Sequence, residues 1–347
     1  MKKPKQKQEP GLFDYSNRMQ KLSEVLSPLD KLDTHIDWEI FRPLLEELLQ
    51  RQEQGLGGRP PYDPVMMFKI IVLQRYYNLS EEQTEFQIND RLTFQKFIGL
   101  TLAETVPDKN TIWDFKENLK VKGGIEKLFK LFEKHLRDAG LVGQEGKIID
   151  ASFVDVPRQR NSREENEVIK AGAIPLEFGK NKDKLSQKDT NARWTKKGNE
   201  VHYGYKNHVK ADRKSKLIED YVVTDASVHD SQVTDDLTKK GDVELHADSA
   251  YRGDDIEKQL SKKEIKSQIH DRAYRNHPLS EEQKKTNREK SKIRVRIEHI
   301  FGFVTNSMRD GFKLRSIGTE RIVAGIGLIN LVYNMARYEQ IVRLKLV

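Results

Sequence analysis

The sequence predicts an α/β layered fold with a mixed sheet, preceded by an all-helical region. Before residue 142, apolar residues recur at helical spacing between turn and capping signals. After residue 143 the texture changes to short runs rich in Val, Ile, Phe and Tyr, several of them closed by Pro, Asp or Gly. The resulting order is strand, strand, strand, helix, strand, helix, strand, helix. A hairpin ahead of alternating strands and helices makes the sheet mixed rather than wholly parallel.

Residues 1–34 read as a basic flexible arm, beginning MKKPKQKQEP, and residues 35–142 as a helical region. Trp38 to Gln52 is amphipathic, with Pro43 interrupting it early, and GLGGRPPYDP (Gly55 to Pro64) reads as a turn-rich connector. VMMFKIIVLQRYYN (Val65 to Asn78) has the length and apolarity of a buried helix. Ser80 with Gln83 forms a capping box that opens the next helix, running to about Leu92. Another starts near Asp108 and carries Ile112, Trp113 and Phe115; Ile125 to Ala139 stops at Gly140. Helices joined by such short turns suit a helix-turn-helix module and a plain bundle equally well.

In the second part, residues 143–347, KIIDASFVDVP (Lys147 to Pro157) reads as the first strand. Residues 158–200 form a long polar loop with little to bury. Val201 to Asp212 and Lys216 to Val228 read as a hairpin turning at Asp212 to Ser215. Asp242 to Tyr251 and Ile265 to Asp271 complete five strands, with short helices near Asp230 and from Glu257. Ser280 and Gln283 cap a long basic helix with Ile293, Ile297, Ile300, Phe301 and Val304 on one stripe. A last apolar helix, Arg321 to Tyr338, should cross the sheet.

Of 347 residues, 62 are Lys or Arg and 54 Asp or Glu, a net charge of +8. That surplus points to a polyanionic partner, nucleic acid before membrane. No run approaches the length of a membrane-spanning helix, so no membrane partner is expected. The absence of cysteine excludes disulfides, thiolate metal sites and cysteine nucleophiles, and suits a cytoplasmic setting.

Asp150 interrupts the apolar run IIDASF, where a buried carboxylate needs a cation or a partner. Asp248 ends a strand just before Ser249 and Ala250, the kind of place where open α/β sheets bind ligands. Glu298 closes a row of cations, Lys284, Arg288 and Arg294, on the basic helix. Taken alone, Glu298 is explained by an i,i+4 ion pair with Arg294. If the first and fourth strands are neighbours, Asp150 and Asp248 stand side by side. Oxygen donors without thiols suit Mg²⁺ or Mn²⁺, and two such ions can drive phosphodiester chemistry. Trp194, Tyr203, Tyr205 and His208 interleave with Lys196, Lys197, Lys206 and Lys210, a pattern that stacks on and neutralises single-stranded nucleic acid.

Four stretches, IIDASFVDVPRQ, ARWTKKGNEVHYGYKNHVKAD, LHADSAYRG and RVRIEHIFG, occur in the order seen in DDE transposases of the bacterial family-five insertion-sequence group, which this chain resembles. GRPPYDPVMMFKIIVLQRYYNLS resembles that group's N-terminal region. The resemblance implies a ribonuclease-H-like mixed five-stranded sheet flanked by helices. It also implies Asp150, Asp248 and Glu298 as catalytic residues and ligands of two Mg²⁺ or Mn²⁺ ions. Arg294 would meet a DNA phosphate, with Arg288, Lys206 and Trp194 as further nucleic-acid contacts. The partners would be double-stranded DNA, as terminal inverted repeats and target, and a second copy of the chain in a synaptic homodimer. A related branch carries Tyr and Lys where this chain has Ser291 and Thr305. A nuclease that cuts without joining and a transposase-derived DNA-binding protein are the competing readings.

Overall fold

The computed structural model describes residues 11–49, 60–101, 103–143, 145–274 and 277–346. Eight helices come first: α1 (Asp14–Glu24), α2 (Pro28–His35), α3 (Arg42–Leu49), α4 (Pro64–Tyr76), α5 (Glu81–Asp90), α6 (Leu92–Ile98), α7 (Lys109–Val121) and α8 (Gly124–Asp138). Two of them lie inside the expected arm. α2 forms there because Ser27 and Asp30 make a reciprocal capping box around Pro28, and its Leu29 and Leu32 are buried. The Ser80–Gln83 box starts α5 as expected. Residues 50–59, which include the first half of the expected connector, lie outside the described residues.

The second part runs β1 (Lys147–Asp155), α9 (Arg163–Lys170), α10 (Leu176–Lys180), α11 (Lys182–Ser186), β2 (Arg193–Lys197), β3 (Glu200–Asp212), β4 (Ile218–Asp225), α12 (Thr234–Leu237), β5 (Glu244–Ala247), α13 (Asp254–Lys262), β6 (Lys266–Ile269), α14 (Glu281–Asn306) and α15 (Thr319–Leu344). The sheet order is β2-β3-β1-β5-β6, with β4 also paired to β3. β1, β3 and β4 are antiparallel neighbours, whereas β1, β5 and β6 are parallel. This is the ribonuclease-H-like mixed sheet that the sequence leads one to expect, with β2 as a sixth strand.

Residues 158–200 are not a bare loop, because they bury more than composition suggests. Ile169, Phe178 and Ala192 are buried, and a capping box of Ser162 and Glu165 starts α9. The buried Asp189 carboxylate ties the insertion down, accepting from Tyr205 Oη at 2.9 Å, the Ala192 N–H at 3.1 Å and the Gly318 N–H at 3.1 Å. Gly204, at φ 150, lets β1 and β3 close up where β2 branches off; a side chain there would run into the Val154 carbonyl.

One core joins the helical region to the sheet. It runs from Leu29 in α2 through Phe68 in α4 and Phe129 in α8 to Val209 in β3 and Ile329 in α15. α15 is the shared element. Asn330 exchanges two amide hydrogen bonds with Asn207 of β3, and Asn334 pairs with both backbone groups of Ile218. The opposite sheet face packs Ile149, Leu245 and Ala247 against Leu237, Ile256 and Leu260.

Candidate active site

Register brings the first two acids together. β1 and β5 are parallel with Lys147 opposite Leu245 and Ile148 opposite His246. Carrying that register onward sets Asp150 beside Asp248, which lies just past the end of β5. Asp248 caps the short turn Ser249–Tyr251, its carboxylate accepting from the Ser249 N–H. The third acid arrives on α14, started by the expected Ser280–Gln283 box and docked through Ile297, Ile300 and Val304.

Arg294 joins the acids. It donates from Nη1 to Asp150 Oδ2 at 2.8 Å and from Nη2 to Glu298 Oε1 at 2.6 Å. The i,i+4 pair that the isolated helix suggests is therefore present, but it is half of a bridge that also reaches β1. Burial pushes the Asp150 carboxyl above its ordinary range. The Ala151 N–H, Arg294 and Lys197 pull it back, while the negative charge of Asp248 pushes it further up. Among the described residues, no group of three or more His, Asp and Glu is already arranged as a cation-binding cluster. Arg294 supplies the positive charge between Asp150 and Glu298.

The expected nucleic-acid contacts divide. Arg288 is exposed on α14, and Trp194 is exposed on β2, packed on Tyr203 and under the Arg158 guanidinium. Lys206 is a correction. It is only 8% exposed, donates to the Val228 carbonyl and pairs with Asp230 at 2.8 Å, so its charge is not presented to solvent. The reason is that both faces of β3 are covered: Lys206, His208 and Lys210 share the face turned toward the second core. His246 likewise fills the interior, hydrogen-bonded to Glu244 at 3.0 Å.

Two site neighbours escaped the sequence reading of the centre. Lys197, at the tip of the β2–β3 hairpin, is exposed yet close enough to act on Asp150. Tyr251 is fully buried, its hydroxyl has no hydrogen-bond partner among the described residues, and the charges of Asp150, Asp230 and Asp248 help raise it well above the usual phenol range, after burial. Its place in LHADSAYRG, three residues after Asp248, was the available signal.

Residues 143–335, more than half of the chain, match the family described as "Transposase DDE domain", and residues 16–118 match "Transposase domain (DUF772)". The chain belongs to the DDE transposases. A solved structure, "Cryo-EM structure of piggyBac transposase synaptic complex with hairpin DNA (SNHP)", aligns over 92% of this chain and 76% of that chain. The identity is 13% and the TM-score 0.45. Among the described residues of this transposase, no helix is long and apolar enough to cross a membrane.

Proposed function

We propose that this transposase cleaves and rejoins DNA strands at the ends of an insertion sequence, with Asp150, Asp248 and Glu298 as its catalytic acids. The observation that carries the reading is convergence. Acids from β1 and α14 meet on one arginine, and the acid at the end of β5 stands beside the first of them, inside the segment matched to the transposase DDE family.

The donor set fits hard divalent ions, being carboxylate oxygen in a chain without thiols. Asp150, Asp248 and Glu298 would hold two Mg²⁺ or Mn²⁺ ions once Arg294 releases two of them. When bound, such ions supply the Lewis acidity that activates a water or 3′-hydroxyl and steadies the leaving oxygen. The protein's own cations do the positioning. Arg294, freed from the acids, offers a fork that matches a phosphate. Lys197, on the β2–β3 hairpin, lies close enough to act on the Asp150 carboxyl. Arg288 extends the positive track along α14, and Trp194 offers a face for an unpaired base. The N-terminal helices bind the terminal inverted repeats, and two copies synapse a pair of ends on target DNA.

The test is a cleavage and strand-transfer assay on duplexes ending in the element's inverted repeats. Wild-type protein gives nicked and joined products, while Asp150→Asn binds the duplex and gives neither. Cleavage by Asp150→Asn at the wild-type rate would contradict the assignment. Hydrolysis by wild type with no joined product would favour the nuclease reading.

A further inference from the structure

Away from the acids, the seam between the helical region and the catalytic half holds a cavity of about 70 Å³. Its walls come from α4, α5, α7, α8 and α15 and from Ser316 in the loop before α15. That volume has room for several waters or one small oxyanion. Arg75, in the last turn of α4, lines it and is only 9% exposed.

Among the described residues, Arg75 is a buried charge with no ion-pair partner. Its Nε has no hydrogen-bond partner, and the contact of its Nη1 with Asn78 Oδ1 is stretched to 3.5 Å. The two acids in its walls, Glu81 and Glu117, are already committed. Glu81 pairs with Lys116 at 2.6 Å, and Glu117 pairs with Lys120 at 2.8 Å and Arg321 at 2.8 Å. A second guanidinium, Arg315, comes close enough to repel Arg75 and is held by the Asn78 carbonyl at 3.2 Å. Burial and that repulsion pull Arg75 down to about 10, still charged at neutral pH.

The carbonyl end of α4 offsets part of this charge, as does Glu81 at longer range. Neither gives the guanidinium a partner for its fork. Water could satisfy the Nε–H but would leave the charge uncompensated. A tetrahedral oxyanion does both, since two of its oxygens match the fork and its charge answers the surplus of cations.

We propose that this cavity is a binding site for a single phosphate group, held by Arg75 with Lys116 and Arg321 at its walls. The site is independent of the catalytic acids. Because its walls belong to both halves of the chain, an occupied site fastens the helical region to the catalytic half.

The experiment is thermal unfolding of the full chain in inorganic phosphate against chloride of equal ionic strength. Wild-type protein should gain about 3 °C over chloride near tenfold saturation. Arg75→Met should lose that gain while remaining folded. Should Arg75→Met not fold, Arg75→Lys keeps the charge without the fork and should lose most of the gain. An equal gain in wild type and in the folded Arg75 variant, or no gain in wild type, overturns the proposal. A free anion and a phosphate of bound DNA present the same chemistry. If a saturating duplex of the inverted repeat abolishes the phosphate-dependent gain, the phosphate is DNA's; if the gain persists, it is a free anion's.

Discussion

Arg294 and Arg75 meet the same problem, a guanidinium held partly or wholly out of water, in opposite ways. Arg294 is neutralised by two carboxylates from different elements, so anything that binds those acids competes with the protein itself. Among the described residues Arg75 is paired with no carboxylate, so a ligand there displaces no ion pair of that arginine. His208 takes a third course. Buried on β3 with Nε2 bonded to Thr224 Oγ1 at 2.9 Å, it gives up its charge, and burial pulls it down to about 4. The difference teaches where ligand chemistry enters this fold: where charge is matched internally a ligand must displace something, and where it is not a ligand completes the set.

The largest effect should come from protonation of His208. Its folded value lies below the unfolded 6.5, so the unfolded chain binds more protons between those values. Stability tied to His208 is complete above pH 6.5 and is lost as pH falls toward 4, by at most about 3 kcal/mol. Denaturant titrations of wild type and His208→Gln at pH 7.5 and 4.5 measure it, and the variant should show the shallower pH dependence.

Removing Arg294 strands Asp150 without its cation. Arg294→Met should cost about 2 kcal/mol at pH 8, and the deficit against wild type should shrink as pH falls into the acid range. The sign follows from Asp150 being an acid whose folded value is already raised. Without Arg294 that value rises further, so the variant's deficit grows with pH between the wild-type and variant folded values and vanishes below the wild-type one. Arg75→Met should behave oppositely in chloride, leaving stability unchanged or raising it by about 1 kcal/mol, because it deletes an unpaired charge. A loss of stability there, matching that of Arg294→Met, would erase the contrast between the two arginines.

Arg288 gives the smallest effect. It is exposed on the positive side of α14, so Arg288→Ala should lower DNA affinity almost uniformly across sequences. The slope of log affinity against log salt should shrink by about one, leaving stability untouched.

What could be read in the sequence was local. The capping boxes at Ser80 and Ser280 work within three residues, and both start the helices expected. Asp150 stood out because an acid inside an apolar strand violates a local rule. The insertion at 158–200 was misread because its anchor, Asp189, is satisfied by Tyr205 and by Gly318, far along the chain. Lys206 was misjudged for a related reason. Alternation along β3 suggests one wet face, but packing buries both, so Lys206 is covered along with Tyr205 and Val209 on the other side. Arg294 was visible as a cation four residues before Glu298; its second partner lies 144 positions away.

The central claim is that Asp150, Asp248 and Glu298 form one site for divalent cations that Arg294 holds closed. Calorimetric titration of the DNA-free chain with Mn²⁺ tests this without relying on activity. Wild type should bind Mn²⁺, Arg294→Gln should bind it about threefold to tenfold more tightly, and Asp150→Asn, Asp248→Asn and Glu298→Gln should each lose most of the binding. Unchanged Mn²⁺ binding in all three acid variants would contradict the account.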